Sequence, residues 1–142
     1  QGFPDPANDH STTSDNGVAG IVLGGNFANP IAGPAYITSP VINLSGAAGT
    51  VKLTFWRWLN GGSPFNQMMH LVDVRDGGWS TIFTTNGPVT DSGWTRFEYD
   101  VTAYKNSGFR IKFAYNFFAA GDADVMSGWN IDDITVSSAT CN

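Results

Sequence analysis

The chain has 142 residues and a mass of 15.2 kDa, the size of one domain, and one domain running over 1–142 is expected. Charged residues are 13%, aromatic residues 13%, and Gly counts 17; with roughly 25% charge as the norm for a soluble domain, this excludes a disordered polyelectrolyte and a Lys/Glu-rich helical bundle. Seven Lys and Arg against twelve acids give a net charge of −5 with no basic run, so nucleic acid is not an expected partner; no apolar run approaches the ~18 residues of a membrane span, so no membrane insertion is expected.

Residues 1–20 are rich in Asp, Asn, Ser, Thr and Gly, and side-chain-to-backbone bonding predicts an irregular opening segment there. From Ile21, IVLGG is a short β-branched run ended by glycines, and Tyr36 to Ile42 reads as an edge strand with Pro40 at a bulge or strand end. After the turn-rich 43–50, VKLTFWRWLN alternates: Val51, Leu53 and Phe55 on one face, Lys52, Thr54 and Trp56 on the other. MMHLVDV is a fourth strand stopped by Asp76-Gly77-Gly78, a hairpin turn, and Trp79 to Thr84 returns. In TRFEYDV, Phe97, Tyr99 and Val101 share a face, and a helical turn is expected near Thr102 to Lys105. Phe109, Ile111, Phe113, Tyr115 and Phe117 then form the inward stripe of a long strand. A polar loop precedes the last strand, WNIDDITV. About eight strands and no longer helix predict an all-β, two-sheet antiparallel β-sandwich of the jelly-roll type.

Catalytic chemistry finds little support. The chain offers His10 and His70 but no G-x-S-x-G turn, no H-E-x-x-H and no paired cysteines, its one cysteine being Cys141. A non-enzymatic protein is expected, with a hydrolase using a pair of its Asp residues as a remote alternative. Eleven of the twelve acids are Asp, the hard-oxygen acid common in irregular segments, and calcium takes six to eight such oxygens. Asp5, Asn8 and Asp9 fall within five residues, and Asp132 and Asp133 sit side by side in an apolar strand. Adjacent strand residues face opposite sides, so one of the pair points at the interior or its rim, where an uncompensated carboxylate is costly. A structural calcium shared between Asp5 or Asp9, Asn8 or Asn26, carbonyls of residues 24–26, and Asp132 or Asp133 removes that cost; the alternative is that both Asp residues are capped by backbone amides or simply exposed at the strand edge. For ligand binding, Trp56 and Trp58 share the face opposite Leu53 and Phe55, Arg57 falls in the inward phase, and a bulge near Trp56 would change which ring is exposed. Trp56, Arg57, Trp58 and His70 are therefore the candidate ligand-binding residues, since aromatic rings stack on sugar faces while polar groups hold hydroxyls.

The stretches DPANDHS (5–11), GIVLGGNF (20–27), YITSPVINLSG (36–46), LTFWRWLN (53–60), GWTRFEYDVTAYKN (93–106) and SGWNIDDITV (127–136) together resemble the jelly-roll domains of the MAM-like group, found in secreted bacterial proteins. The resemblance implies a jelly roll of eight to ten strands, extracellular or cell-surface placement, neighbouring domains in a parent chain, and a role in adhesion or recognition. The wider jelly-roll group includes carbohydrate-binding modules, many with a structural calcium between the N-terminal segment and an Asp at the start of the last strand, a position matched by Asp132. Unlike animal MAM domains, this chain lacks several cysteines. The expected function is a non-catalytic extracellular module recognising a glycan, with an extracellular protein as the alternative partner.

Overall fold

The computed structural model describes residues 6, 8–21, 35–61, 66–75, 78–85, 87–117 and 128–139, with the backbone alone for 66–75 and 116–117. Asp5, Asn26, the carbonyls of 24–26, the loop 118–127, the turn at 76–77 and Cys141 lie outside the described residues. Among the described residues nine strands form in chain order: β1 (Ala19–Gly20), β2 (Ala35–Thr38), β3 (Thr50–Gly61), β4 (Asn66–Arg75), β5 (Gly78–Thr84), β6 (Val89–Thr90), β7 (Thr95–Asp100), β8 (Ile111–Phe117) and β9 (Gly128–Ala139). They make two antiparallel sheets. Sheet A has the order β1-β9-β3, with β6 and β7 pairing successive stretches of the other edge of β3; sheet B has the order β2-β8-β4-β5. The expected two-sheet sandwich is thus observed, and the last strand lies beside the chain's opening segment.

Alternation decides the faces. Along β3 the residues Val51, Leu53, Phe55, Arg57 and Leu59 are buried while Lys52, Thr54, Trp56 and Trp58 stand on the outer side, the period-two consequence of a pleated strand with one wet face. In β8, Ile111, Phe113 and Tyr115 face inward and are buried, and Phe109 just before the strand is buried with them. Phe55 meets Phe113 edge to face at 5.0 Å, and Phe97 and Tyr99 of β7 stack beside it at 5.7 and 6.0 Å. These rings join the two sheets.

Three elements differ from the sequence reading. The strand at Tyr36–Ile42 stops at Thr38, because Pro40 has no N–H to donate; the Ser39 hydroxyl accepts from Ile111 N at 3.0 Å, and pairing resumes at the Ile42–Phe109 bridge. The irregular opening segment gains a two-residue strand, Ala19–Gly20, against Ile131 and Asn130. The irregularity expected near Trp56 lies on the partner strand: between the pairs Thr54–Thr135 and Trp56–Asp132, β9 sets Asp133 and Ile134 against Phe55 alone. Asp133 adopts φ 49° there. This bulge resets the phase, so that Ile131 and Val136, five residues apart, both reach the core. The expected helical turn is a single 3-10 turn over Thr102–Tyr104. Asp100 accepts the Thr102 N–H at 2.9 Å, and the Thr102 hydroxyl accepts from Val51 N at 2.8 Å, pinning the start of β3. Hydrogen bonds from Thr102 hold the Asp100 carboxyl below the usual carboxylate range.

One part of the core is polar. Arg57 is 4% exposed, its Nε donates to Asp91 Oδ2 at 3.2 Å, and its guanidinium lies 4.1 Å from the centre of Phe97. The same Asp91 oxygen accepts the Leu59 N–H at 2.8 Å. Near the end of β3, a Cβ on Gly61 would stand 2.5 Å from the Tyr115 hydroxyl oxygen, which is why glycine is required there. Among the described residues the sandwich is open along the β2 and β9 edges, with a cleft of about 420 Å³ between Ile37 and Ile42 on one side and Ile134 and Val136 on the other.

Two outcomes are expected in chemical denaturation. Phe113→Ala removes a ring at the sheet-to-sheet contact and should lower stability by about 3–5 kcal/mol; a loss below ~1 kcal/mol would mean the ring is not core. Asp91→Ala strands a buried guanidinium and should lower stability by about 3–5 kcal/mol, whereas the pair Arg57→Met with Asp91→Leu should lose less than Asp91→Ala alone.

Candidate functional site: the tryptophan face of sheet A and the opening segment

The outer face of β3 carries Trp56 and Trp58 two residues apart, and the turn before β7 brings Trp94 beside them. Trp58 and Trp94 meet edge to face, with centres 6.1 Å apart at 87°. The opening segment supplies the next ring: His10 stacks on Trp56 at 3.6 Å and 16°, and meets Trp94 edge-on at 6.2 Å. Edge-on contacts such as those of Trp94 follow the ring quadrupoles. All three tryptophans are half-buried, so the cluster is partly covered and partly open to solvent.

The two aspartates of β9 hold His10 over Trp56. Asp132 Oδ2 accepts the His10 backbone N–H at 2.7 Å, and its Oδ1 accepts the Asp133 N–H at 2.7 Å. Asp133 Oδ2 lies 2.8 Å from His10 Nδ1. The bulge makes this possible. With Asp133 in the left-handed region, the two adjacent carboxylates reach the same histidine instead of pointing to opposite sides of the sheet. In this structure the Asp pair is therefore satisfied by backbone amides and an imidazole, and each carboxylate oxygen keeps a further lone pair.

From Ser11 to Asn16 every side chain carries oxygen, and those at odd positions link to one another and to Asp9. Ser11 Oγ donates to Asp9 Oδ2 at 2.9 Å and lies 2.6 Å from Thr13 Oγ1, which donates in turn to Asp15 Oδ1. Asn16 Oδ1 accepts the Asp9 N–H at 3.0 Å. The Thr13 hydroxyl holds the Asp15 carboxyl below the usual carboxylate range, so it is ionised at neutral pH. Among the described residues no three His, Cys, Asp or Glu side chains come together as a metal-holding group. A cation here would rely on hydroxyl, amide and carbonyl oxygens as well as carboxylates.

Each residue named from the sequence can now be placed. Trp56 and Trp58 lie on one outer face, as alternation predicts. Arg57 points the other way into the core and does not share their surface. His70 lies on β4 of sheet B, in register with Phe113 and Phe83, and so belongs to a different sheet from the tryptophans; its side chain is outside the description. Asn8 is exposed, Asp9 sits in the oxygen chain, and Asp132 and Asp133 bind His10. Sequence reasoning missed Trp94, which lies in an aperiodic Ser-Gly-Trp turn, and the role of His10. It placed the oxygen-rich opening segment but not the linked row Asp9, Ser11, Thr13, Asp15, because the even positions carry oxygen too and nothing in the sequence separates the two sets.

The backbone of Asp133 generates a prediction. A β-branched residue tolerates the left-handed region badly, so Asp133→Val should cost on the order of 1–3 kcal/mol and release His10 from Trp56, read as a change in tryptophan fluorescence. Asp133→Asn should cost less, since Asn enters that region readily.

Neither a protein-family model nor a curated protein matches the sequence. Among solved structures, the chain is similar to the K3 cleaved adhesin domain of Lys-gingipain from Porphyromonas gingivalis w83, at 16% identity and a TM-score of 0.50, over 86% of this chain and 72% of that one. At that identity the likeness is one of fold, and it matches the open two-sheet sandwich described above.

Proposed function

We propose that this domain is a non-catalytic, extracellular adhesive module of a larger chain that recognises glycans on the tryptophan face of sheet A and carries a structural calcium ion in its opening segment. The observation that carries the binding reading is the ring cluster itself. Trp58 and Trp94 form a corner on the outer sheet face, next to the His10–Trp56 stack, whose imidazole binds Asp133 and whose chain neighbours include the polar Asn8 and Ser11. Rings set among hydroxyl, amide and carboxylate groups suit a sugar, whose apolar face stacks while its hydroxyls bond to the polar rim. The fold shared with an adhesin domain agrees with this reading. His10 occupies one face of Trp56, which leaves Trp58 and Trp94 as the stacking surfaces and favours a small epitope. Contact with an extracellular protein through the same rings is the second reading, because Trp is also a frequent anchor of protein interfaces.

The calcium reading rests on donor chemistry. Asp9, Ser11, Thr13, Asp15 and Asn16 are all hard-oxygen groups gathered by short contacts in a segment with few apolar side chains, and calcium prefers such oxygens in irregular loops. Asp9 and Asn8 are the described candidates from the sequence reading, together with Asp132 or Asp133 through the free lone pairs. A bound ion would stiffen the strand of chain that carries His10, and so would hold the ring cluster in place.

Two measurements test this. On a glycan array, wild-type protein should bind a defined set of neutral sugars, and Trp58→Ala should weaken that binding tenfold or more with its melting curve intact. Silence on the array together with binding to an extracellular protein, lost in the same variant, would assign the face to protein contact. Calcium in 100-fold excess over its dissociation constant should add about 2.7 kcal/mol to stability. Asp9→Ala should abolish that response. Superimposable melting curves in calcium and in chelator would mean that no such site exists.

A further inference from the structure

The outer face of sheet B, on the far side of the sandwich from the tryptophan cluster, holds a second group of rings and cations. Lys112 of β8 projects outward between the buried Ile111 and Phe113. Its Nζ lies 3.9 Å from the centre of Trp79 on β5 and 4.7 Å from that of Tyr36 on β2. The Arg110 guanidinium lies 5.4 Å from the same Trp79 ring. Tyr36 is 60% exposed, a large aromatic left open in the middle of a short edge strand.

Lys112 is unusual among the cations of this chain. Lys52 and Arg96 both bind Glu98, Arg57 binds Asp91, and Lys105 donates to the carbonyls of Ala47 and Gly49. Lys112 makes no ion pair among the described residues and is positioned by two ring faces instead. Such a cation is fixed in place by the ring quadrupoles, while its N–H groups remain ready for an anion. In a protein of net charge −5, a cation held by rings, with no carboxylate partner among the described side chains, is a local centre of positive charge.

We propose that this face is a second binding site, specific for an anionic sugar: the sugar's carboxylate or sulfate pairs with Lys112, and its C–H face stacks on Tyr36 beside Trp79. The class of ligand follows from the pairing of groups. The exposed Tyr36 ring beside the half-buried Trp79 asks for a flat apolar ligand face, and the ammonium asks for one negative charge at its edge; a hexuronate or a sulfated hexose has both. A polyanion lacking such a face, such as an acidic peptide, gains the ion pair without the stacking. Binding should weaken with rising salt, because the ion pair is near the surface.

The site is independent of the one on sheet A, and its test keeps the two apart. Binding is measured by titration calorimetry at low salt with hexamers of galacturonate, sulfated galactose, neutral galactose and glutamate. Binding of the galacturonate or the sulfated hexamer, at least tenfold tighter than the neutral sugar and the glutamate hexamer, is expected, and which of the two binds identifies the anionic group. K112Q and Y36A, both at the surface and both checked for unchanged melting, should each weaken it tenfold or more, while W58A leaves it unchanged. No binding of either anionic hexamer at millimolar concentration would overturn the proposal. So would equal binding of the neutral or glutamate hexamer, or K112Q and Y36A that bind like wild type.

Discussion

The pairing of β3 with β9 is the constraint on which the other parts depend. A pleated strand gives consecutive residues opposite fates, so the same stretch that buries Phe55, Arg57 and Leu59 must display Trp56 and Trp58. β9 has a harder task. It carries Ile131 and Val136 to one core from positions of opposite parity, and the bulge at Asp133 and Ile134 reconciles them. The same irregularity turns two neighbouring carboxylates toward His10. Core packing and the surface ring cluster are therefore two results of one backbone adjustment.

The core tolerates an arginine because its surroundings were built for one. Arg57 has a carboxylate on its Nε and ring faces of Phe97 and Phe83 at 4.1 and 5.6 Å, so the cost of removing charge from water is offset from both sides. Asp91 also takes the Leu59 amide. The carboxylate thereby fixes the end of β3 as well as the charge, and loosening it would disturb the strand that presents the tryptophans.

Much of this is legible in the sequence, and the limits have physical causes. Period two in VKLTFW and in the Phe109 to Phe117 stripe places both central strands and their faces, including the inward phase of Arg57, because alternation is a local property of the chain. The Asp132–Asp133 pair is legible as an anomaly, a polar couple in an apolar strand. Its partner is not, since His10 lies 122 residues away and nothing local points to it. Trp94 escapes for a different reason: a single ring in a glycine turn has no period to betray its direction. The shortened edge strand could be read from Pro40, whose missing donor breaks the ladder whatever the fold around it.

The contact between His10 and Asp132 also sets an order of events in time. Sheet A cannot accept the opening segment until β9 exists, and β9 is the last of the described strands to be made. At synthesis rates of roughly 5–20 residues per second, the 122 residues separating the two take on the order of ten seconds to appear. From the completion of β3 until β9 arrives, Trp56 has no anchored histidine to cover it and β3 has one open edge. Pairings of such long range form late in folding as well. The rings offered to a ligand in the finished domain are thus, in the nascent one, an uncovered adhesive surface, and the speed with which the last strand arrives governs how long the growing chain is exposed to wrong partners.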